Sequence, residues 1–540
     1  MPASLVARDL SLSFGPSPVL DQVSVTIGPA ARIGVVGPNG CGKSTLLRVL
    51  AGELAPDAGH VTPLPADATV GYLAQEPVLA PDETAAEALA RRTGVAAAST
   101  VLDAATAALD AGTASAVDRY SAALERWMAL GGDDLDARVG AVLAQAGLPE
   151  SVLHQPVGRL SGGQAARVAL AAILLARFDL MLLDEPTNDL DFDGLARLER
   201  FVAGRDGGVV IVSHDRTFLE RTITSVLELD EHSHRATLFN GGWLSYLEER
   251  TTARRHAQDA HDTYEARRSE LTARARQQRT WATVGARRAT KRPDDNDKAQ
   301  RDFRVNRTEK QAAKVRISEK ALARLDPVER PWVPWELRMT ITPAARSGDV
   351  VARLDRAVIE HGAFRLGPID LEVRWAERLA ILGPNGSGKT TLLSALLGQH
   401  VPIAGTHRLG RSVVVGELDQ GRARFLTDRS VLASFRTVLA PDPPSIAETR
   451  SLLAKFGLTA SHVDRPARTL SPGERTRASL ALFMARGVNC LALDEPTNHL
   501  DLPAIEQLEA ALGAWEGTLL LITHDRQFLA NVPVDTTIEL

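Results

Sequence analysis

The sequence predicts an α/β protein built twice. Each copy has a mixed sheet core with a helical subdomain, and a long antiparallel α-helical hairpin joins the two. Three observations predict this. A glycine-rich loop between an apolar strand pattern and a helix occurs twice, at Gly37–Thr45 and at Gly383–Thr391. The markers after each loop keep their spacing. Ser161 stands 23 residues before Asp184 and Ser471 stands 23 before Asp494, while 30 residues separate Asp184 from His214 and Asp494 from His524. Matching intervals of this kind are the signature of an internal duplication. Between the copies lies a polar, arginine-rich stretch with few apolar positions. The expected boundaries are 1–242, 243–335 and 336–540.

At 540 residues the chain is long enough for several buried cores, and 44% hydrophobic with 24% charged residues is an ordinary globular balance. Its two cysteines, Cys41 and Cys490, exclude a disulfide framework and a four-cysteine zinc site. The chain opens Met-Pro-Ala-Ser without a basic segment leading into an apolar run, so no leader is expected. The most apolar window, Val168 to Phe178, is short and interrupted by Arg177. No membrane-spanning helix is expected. A cytoplasmic location is the expectation that follows.

In the first copy, residues 5–14 and 18–27 alternate apolar and polar, and Arg32–Val36 reads as a buried strand. It runs into Gly37-Pro38-Asn39-Gly40-Cys41-Gly42-Lys43-Ser44-Thr45 and then a helix. Glycines let backbone N–H groups wrap phosphates, Lys43 reaches the β- and γ-phosphates, and Ser44 offers a hydroxyl to Mg²⁺. Downstream come Gln75, Leu160-Ser161-Gly162-Gly163-Gln164, an apolar strand ending in Asp184-Glu185, Asp189-Leu190-Asp191, and Ser213-His214-Asp215. A strand ending in Asp-Glu places one carboxylate on a metal and the next where it polarises a water. Ser-Gly-Gly opening a helix is an anion site.

The second copy repeats the set: Gly383-Pro384-Asn385-Gly386-Ser387-Gly388-Lys389-Thr390-Thr391, Gln420, Leu470-Ser471-Pro472-Gly473-Glu474, Asp494-Glu495, His499-Leu500-Asp501 and Thr523-His524-Asp525. It departs in three places. Gln75 to Ser161 spans 86 residues against 51 from Gln420 to Ser471, so the first copy carries an alanine-rich helical extension at about 93–130. That extension reads either as a longer subdomain or as a surface for a partner. Pro472 replaces a glycine and Glu474 a glutamine. No aromatic stands where the first copy has Phe14; with one deletion allowed, His361 aligns there.

Residues 251–330 hold 21 Lys and Arg against 12 Asp and Glu in a chain whose net charge is −5. Trp243 to about Val284 contains no proline and favours helix, as does a second run from about Lys298 to Leu325. Between them a tip at about 284–298 holds Pro293 and Asp294-Asp295-Asn296. Two readings stand: a charged spacer, or a basic finger for RNA phosphates led by Lys291 and Arg292.

The order of these motifs resembles an ATP-binding cassette, with Walker A, Q-loop, signature, Walker B, D-loop and H-loop in turn. Two such cassettes without membrane segments, joined by a charged hairpin, resemble the ABC-F family over essentially the whole chain. The run Asn296–Arg301 through Asn306–Lys314 is similar to the interdomain linker of actinobacterial members.

The resemblance implies an ATPase that uses ATP and Mg²⁺ at two composite sites. One pairs Gly37–Thr45 with Ser471, Gly473 and Glu474, and the other pairs Gly383–Thr391 with Ser161, Gly162, Gly163 and Gln164. Asp184, Ser44 and Gln75, and likewise Asp494, Thr390 and Gln420, would hold the metal. Glu185 and Glu495 would activate water, with His214 and His524 on the γ-phosphate. Phe14, and His361 in the second copy, would face adenine. It also implies a monomer whose cassettes pair with each other and a partner in the 70S ribosome, through rRNA and the P-site tRNA. No membrane or transmembrane partner is implied. The expected role is ribosomal protection against antibiotics of the macrolide, lincosamide or pleuromutilin type, or a housekeeping translation function. The ATPase half of a drug exporter and a DNA-repair ATPase are the rival classes.

Overall fold

The structure is a computed structural model that describes residues 3–74, 82–110, 115–290, 317, 320–325, 346–362, 364–418, 423–498 and 500–540. Gln75, Gln420, His499 and the hairpin residues Lys291, Arg292 and Lys298 lie outside the described residues, as does the side chain of His361.

The described chain divides into two compact units, Met1–Leu244 with Trp335–Leu540, and Ser245–Pro334. The first unit contains both copies. In the first copy the strands are β1 (Ser4–Phe14), β2 (Ser17–Ile27), β3 (Arg32–Val36), β4 (Ala58–Leu64), β5 (Val70–Leu73), β6 (Leu180–Asp184), β7 (Gly208–Val212), β8 (Ser225–Leu229) and β9 (Ala236–Asn240). Its helices are α1 (Lys43–Leu50), α2 (Ala85–Arg92), α3 (Val95–Asp110), α4 (Ala116–Ala129), α5 (Leu135–Gln145), α6 (Gly162–Leu175), α7 (Phe192–Ala203) and α8 (Arg216–Thr222). The main sheet runs β5-β6-β7-β3-β8-β9, parallel except for the β8–β9 pair, and a separate antiparallel sheet runs β2-β1-β4.

After α9 (Trp243–Thr290) the pattern returns as β10 (Val350–His361), β11 (Phe364–Arg374), β12 (Arg378–Leu382), β13 (Ala404–Leu409), β14 (Val415–Leu418), β15 (Cys490–Asp494), β16 (Thr518–Ile522) and β17 (Thr536–Glu539). The helices are α10 (Lys389–Leu396), α11 (Val431–Val438), α12 (Ile446–Lys455), α13 (Ala460–Val463), α14 (Pro472–Ala485), α15 (Leu502–Gly513) and α16 (Arg526–Asn531). The order β14-β15-β16-β12-β17 is parallel throughout, with β11-β10-β13 beside it as an antiparallel sheet.

Central strands are buried along nearly their whole length, and apolar apart from their ends, because both sheet faces are covered. On one face of the first copy Leu182 and Val210 pack with Leu46 and Leu50 of α1, and on the other Leu183 and Ile211 pack with Leu143 and Leu198. The second copy repeats this, with Ala492 and Leu520 against Leu392 and Leu396, and Leu493 and Leu521 against Leu482 and Leu508. Register aligns Asp184 with Val212 and Asp494 with Ile522, so the P-loop, the Asp-Glu pair and the histidine loop leave neighbouring strands at the same carboxyl edge. The 93–130 segment forms α3 and α4, which pack side by side through small residues such as Ala98, Ala105 and Ala123, with Trp127 Nε1 donating to Ser99 Oγ at 3.0 Å.

Helix α9, which lies in the second unit from Ser245 on, has 48 residues, a length of roughly 72 Å at ~1.5 Å per residue. It continues to Thr290 where the sequence suggested an end near Val284. Gly285 inside a helix costs only about 1 kcal/mol, too little to stop one this long. Its polar face is tied by Arg268–Glu265 and Arg267–Glu270 pairs at 2.9 and 2.7 Å, and Leu271, Ala275 and Gln278 form a buried seam at helical spacing. Of the expected returning helix only Ile317 and residues 320–325 are described.

Candidate active site

Each P-loop is a glycine turn that closes on its own lysine. Gly37 and Gly383 have φ of 152° and 142°, and a Cβ at either would lie 2.6–2.7 Å from a backbone oxygen. Lys43 Nζ donates to Gly37 O and Pro38 O at 2.8 and 3.0 Å, and Lys389 Nζ to Gly383 O and Pro384 O at 2.9 and 3.0 Å. Helices α1 and α10 begin at Gly42 and Gly388, which provide no side-chain cap. Their first N–H groups therefore remain available to an anion, as phosphate binding requires.

The strand-end carboxylates sit beside these loops. Thr390 Oγ1 donates to Asp494 Oδ2 at 2.8 Å, and Tyr72 Oη donates to Asp184 Oδ2 at 3.0 Å. Burial pushes both aspartates above the usual carboxylate range, opposed at Asp184 by hydrogen bonds from Ser44 and Tyr72. Asp184 is 3% exposed and its Oδ1 has no partner, so a cation placed there would relieve a buried carboxylate. Among the described residues no cluster of three His, Cys, Asp or Glu side chains forms a preformed cage. One carboxylate with a hydroxyl suits a divalent ion that shares its coordination with phosphates.

Glu185 and Glu495 follow with φ of 50° and 44°, a left-handed backbone seldom adopted outside glycine. The backbone N–H of each donates to the end of the adjacent strand, Glu185 to Val212 O at 2.9 Å and Glu495 to Ile522 O at 3.0 Å, which aims both carboxyls at a histidine. His214 Nε2 lies 3.2 Å from Glu185 Oε1, and His524 Nε2 lies 3.6 Å from Glu495 Oε1. Burial raises Glu185 to about 7 and Glu495 to about 8. It drives His214 well below the ordinary imidazole range and His524 to about 4. Both couples are thus uncharged, the first within hydrogen-bonding distance and the second just beyond it, each with a carboxyl raised toward neutral pH as a general base needs.

The two copies meet at these sites. Asp191 Oδ2 accepts from the backbone N–H of Asn385 at 2.9 Å while its Oδ1 caps α7 through Gly194 N–H at 2.9 Å. Asp501 repeats the arrangement, with Asn39 N–H at 3.0 Å and Ala504 N–H at 3.2 Å. Arg167 of α6 donates to Asn385 O at 2.7 Å. A cavity of about 700 Å³ lies between the second P-loop and the first copy's signature, lined among others by Ser161, Gly163, Lys389, Glu495 and His524.

Ser161 and Ser471 cap α6 and α14 as halves of capping boxes completed by Gln164 and Glu474. Glu474 is also held by His462 at 3.0 Å and by Arg465. The side chains of Gln164 and Glu474 thus serve their own helix starts. Phe14 is 54% exposed at the end of β1.

Several residues escaped the sequence reading. Phe364 pairs with His361 across the β10–β11 turn and lines the cavity, supplying an aromatic in the second copy. Tyr72 could have been found from the parallel pairing of β5 with β6, which puts it on the face of Asp184. Arg167 stands six residues after Ser161 with no local signal for its reach.

Paired P-loops, each facing the other copy's helix start across a shared interface, define a tandem ATP-binding cassette ATPase. A family model described as ABC transporter matches residues 20–188 and 366–498. The chain is 38% identical over 530 residues to the tylosin resistance ATP-binding protein TlrC of Streptomyces fradiae, covering 94% of this chain and 92% of that protein. It is 33% identical over 533 residues to the energy-dependent translational throttle protein EttA of Mycobacterium tuberculosis, covering 96% and 88%. Among solved structures, archaeal ribosome recycling factor aABCE1 in complex with stalk protein aP1 matches with a TM-score of 0.56 at 20% identity, over 98% of this chain and 87% of that one. That likeness is one of fold. The protein belongs to the ABC-F family of tandem cassette ATPases. Among the described residues no helix is long and apolar enough to cross a membrane.

Proposed function

We propose that this ATPase protects ribosomes from antibiotics in the cytoplasm, closing on ATP to seat the basic hairpin in the ribosome and leaving after hydrolysis. The observation that carries this reading is the near full-length likeness to a tylosin resistance protein, at 94% coverage of this chain. The excess of nine positive charges in residues 251–330 supports it, since phosphates are the natural counterpart of such a segment. In this reading the finger points toward the P-site tRNA and peptidyl transferase centre, and the drug class is of the macrolide, lincosamide or pleuromutilin type.

Each ATP lies between one P-loop and the other copy's signature. Lys43 and Lys389 release their loop carbonyls to take phosphate oxygens. Glu185 and Glu495 accept a proton from the attacking water, and His214 and His524 face the γ-phosphate. Phe14, and in the second site His361 or Phe364, face adenine. Bound Mg²⁺ would be held by Asp184, Ser44 and Gln75 or by Asp494, Thr390 and Gln420, and would neutralise phosphate charge. Closure needs ATP to favour the docked state, and the Asp191 and Asp501 contacts to the opposite P-loops are the elements it would stabilise.

A second reading, a translation factor without a drug, is favoured by the 33% likeness to a translational throttle protein. Sucrose-gradient sedimentation of Glu185→Gln with Glu495→Gln in ATP tests what both readings share: the double variant is expected to travel with 70S particles. A variant that stays at the top of the gradient overturns both. Cell-free translation with and without a macrolide then separates them, since protection restores synthesis only when the drug is present.

A further inference from the structure

We propose that Phe192 of the first cassette is a positioning residue for His524 of the second, so that the second composite site has its histidine aligned from across the interface. The proposal rests on the reading that His524 faces the γ-phosphate there.

The phenyl and imidazole rings stand edge to face, with centroids 5.2 Å apart and planes at 79°. His524 is 7% exposed and lines the cavity, yet neither ring nitrogen has a hydrogen-bond partner. A buried imidazole without such a tether takes its orientation from packing, and an aromatic edge is a directional neighbour. Two residues on, Arg526 places its guanidinium 5.7 Å from the Phe192 ring centroid and pairs with Glu199 at 2.7 Å. Phe192 and Glu199 are seven residues apart on α7 and share a face. The histidine loop of the second cassette therefore grips this helix at two points, with the phenyl ring between His524 and Arg526.

The first site is built differently. Leu502 occupies the position of Phe192 on α15, seven residues before Glu509, and Glu509 takes Arg216 as Glu199 takes Arg526. The charged grip is duplicated but the ring is not. His214 instead lies within hydrogen-bonding distance of its own cassette's Glu185, at 3.2 Å. One histidine is tethered within its cassette and the other leans on the opposite one. Alignment in the second site thus depends on docking through a side chain outside the cavity lining.

ATP turnover is measured in Glu185→Gln, where the second site alone hydrolyses, and in the chain with both glutamates intact should that change silence both sites. Phe192→Leu, which installs the first site's residue, and Phe192→Met, which keeps volume without a ring, are each expected to lower kcat about tenfold with KM for ATP little changed. Phe192→Tyr should restore kcat to within about twofold of the parent. His524→Ala is the reference. If it abolishes turnover while the leucine and methionine variants keep kcat, the proposal falls and the role of His524 stands. If His524→Ala itself leaves turnover unchanged, the underlying reading falls with it. A rise in KM without loss of kcat would mark Phe192 as a packing residue only and also overturn the proposal.

Discussion

Asp191 and Asn385 are 194 residues apart in sequence, yet the carboxylate of one accepts the backbone N–H of the other at 2.9 Å. The same carboxylate caps α7, so one side chain both starts a helix and docks the opposite P-loop. Asp191→Ala removes a cap worth about 1 kcal/mol and a charge-assisted bond of about 1.5–3 kcal/mol. It also strips Arg167 of an acidic neighbour at 3.6 Å. Denaturant unfolding should show a loss of roughly 3 kcal/mol, and KM for ATP should rise. Asp191→Asn, which keeps one acceptor oxygen, should lose about half as much.

The raised carboxyls give a signed pH dependence. Glu185 and Glu495 titrate at about 7 and about 8 in the fold against an ordinary value of 4.5. Each favours the folded state in its protonated form, so its contribution is full below about pH 4.5 and is lost as pH rises through 7 and 8. Glu495→Gln should therefore raise the melting temperature of the nucleotide-free protein at pH 8.5 and leave it nearly unchanged at pH 5. Wild-type kcat should climb over the same interval as the base ionises. A flat melting difference across that range would sink the assignment.

Motifs that are local in sequence were legible, and contacts made across the duplication were not. A glycine loop between a buried strand and a helix needs only its own residues, so Gly37–Thr45 and Gly383–Thr391 stand out unaided. The Asp-Glu strand ends stand out too, because four apolar or small residues running into two carboxylates admit few readings. The trans contacts of Asp191, Asp501 and Arg167 depend on how two sheets face each other, which no periodicity records. Aligning the copies with one deletion puts His361 opposite Phe14; its side chain lies outside the described residues, and Phe364, three residues further on and visible only from the hairpin pairing, lines the cavity. Helix α9 runs on to Thr290, past the start of the expected tip at about 284, because Gly285 inside a long helix is only a modest penalty.

Tyr72→Phe should act on the first site alone. Its hydroxyl donates to Asp184 at 3.0 Å, while the second copy has Glu417 at the matching strand position. Loss of that bond leaves the Asp184 carboxylate less well solvated and its pKa higher. With Glu495→Gln silencing the second site, half-saturation by Mg²⁺ should rise about three- to tenfold. Unchanged Mg²⁺ dependence would mean that the hydroxyl serves packing.

Neutralising Lys291, Arg292 and Lys298 should weaken ribosome co-sedimentation and leave basal ATP turnover intact. If these side chains meet phosphates, the slope of log affinity against log salt should become shallower by roughly 0.7–0.9 per charge removed. Equal loss of binding and turnover would instead mark the hairpin as a strut.

Two ion pairs seen across the cassette interface among the described residues should be unequal in strength. Arg216 and Glu509 have side chains only 12% and 10% exposed, and the carboxylate also receives Asn531 Nδ2 at 3.0 Å. Arg526 is 26% exposed, and its partner Glu199 has a second cation, Arg221, at 3.1 Å. Removing Arg216 leaves a buried carboxylate without its counter-ion, a change that costs about 3–5 kcal/mol. Removing Arg526 leaves Glu199 paired with Arg221 and closer to water, so about 1 kcal/mol is expected. Urea unfolding of Arg216→Ala and Arg526→Ala should separate them by that margin, and Arg216→Ala with Glu509→Leu should recover most of the loss. Equal destabilisation by the two arginine variants would show that burial does not set the strength of this interface.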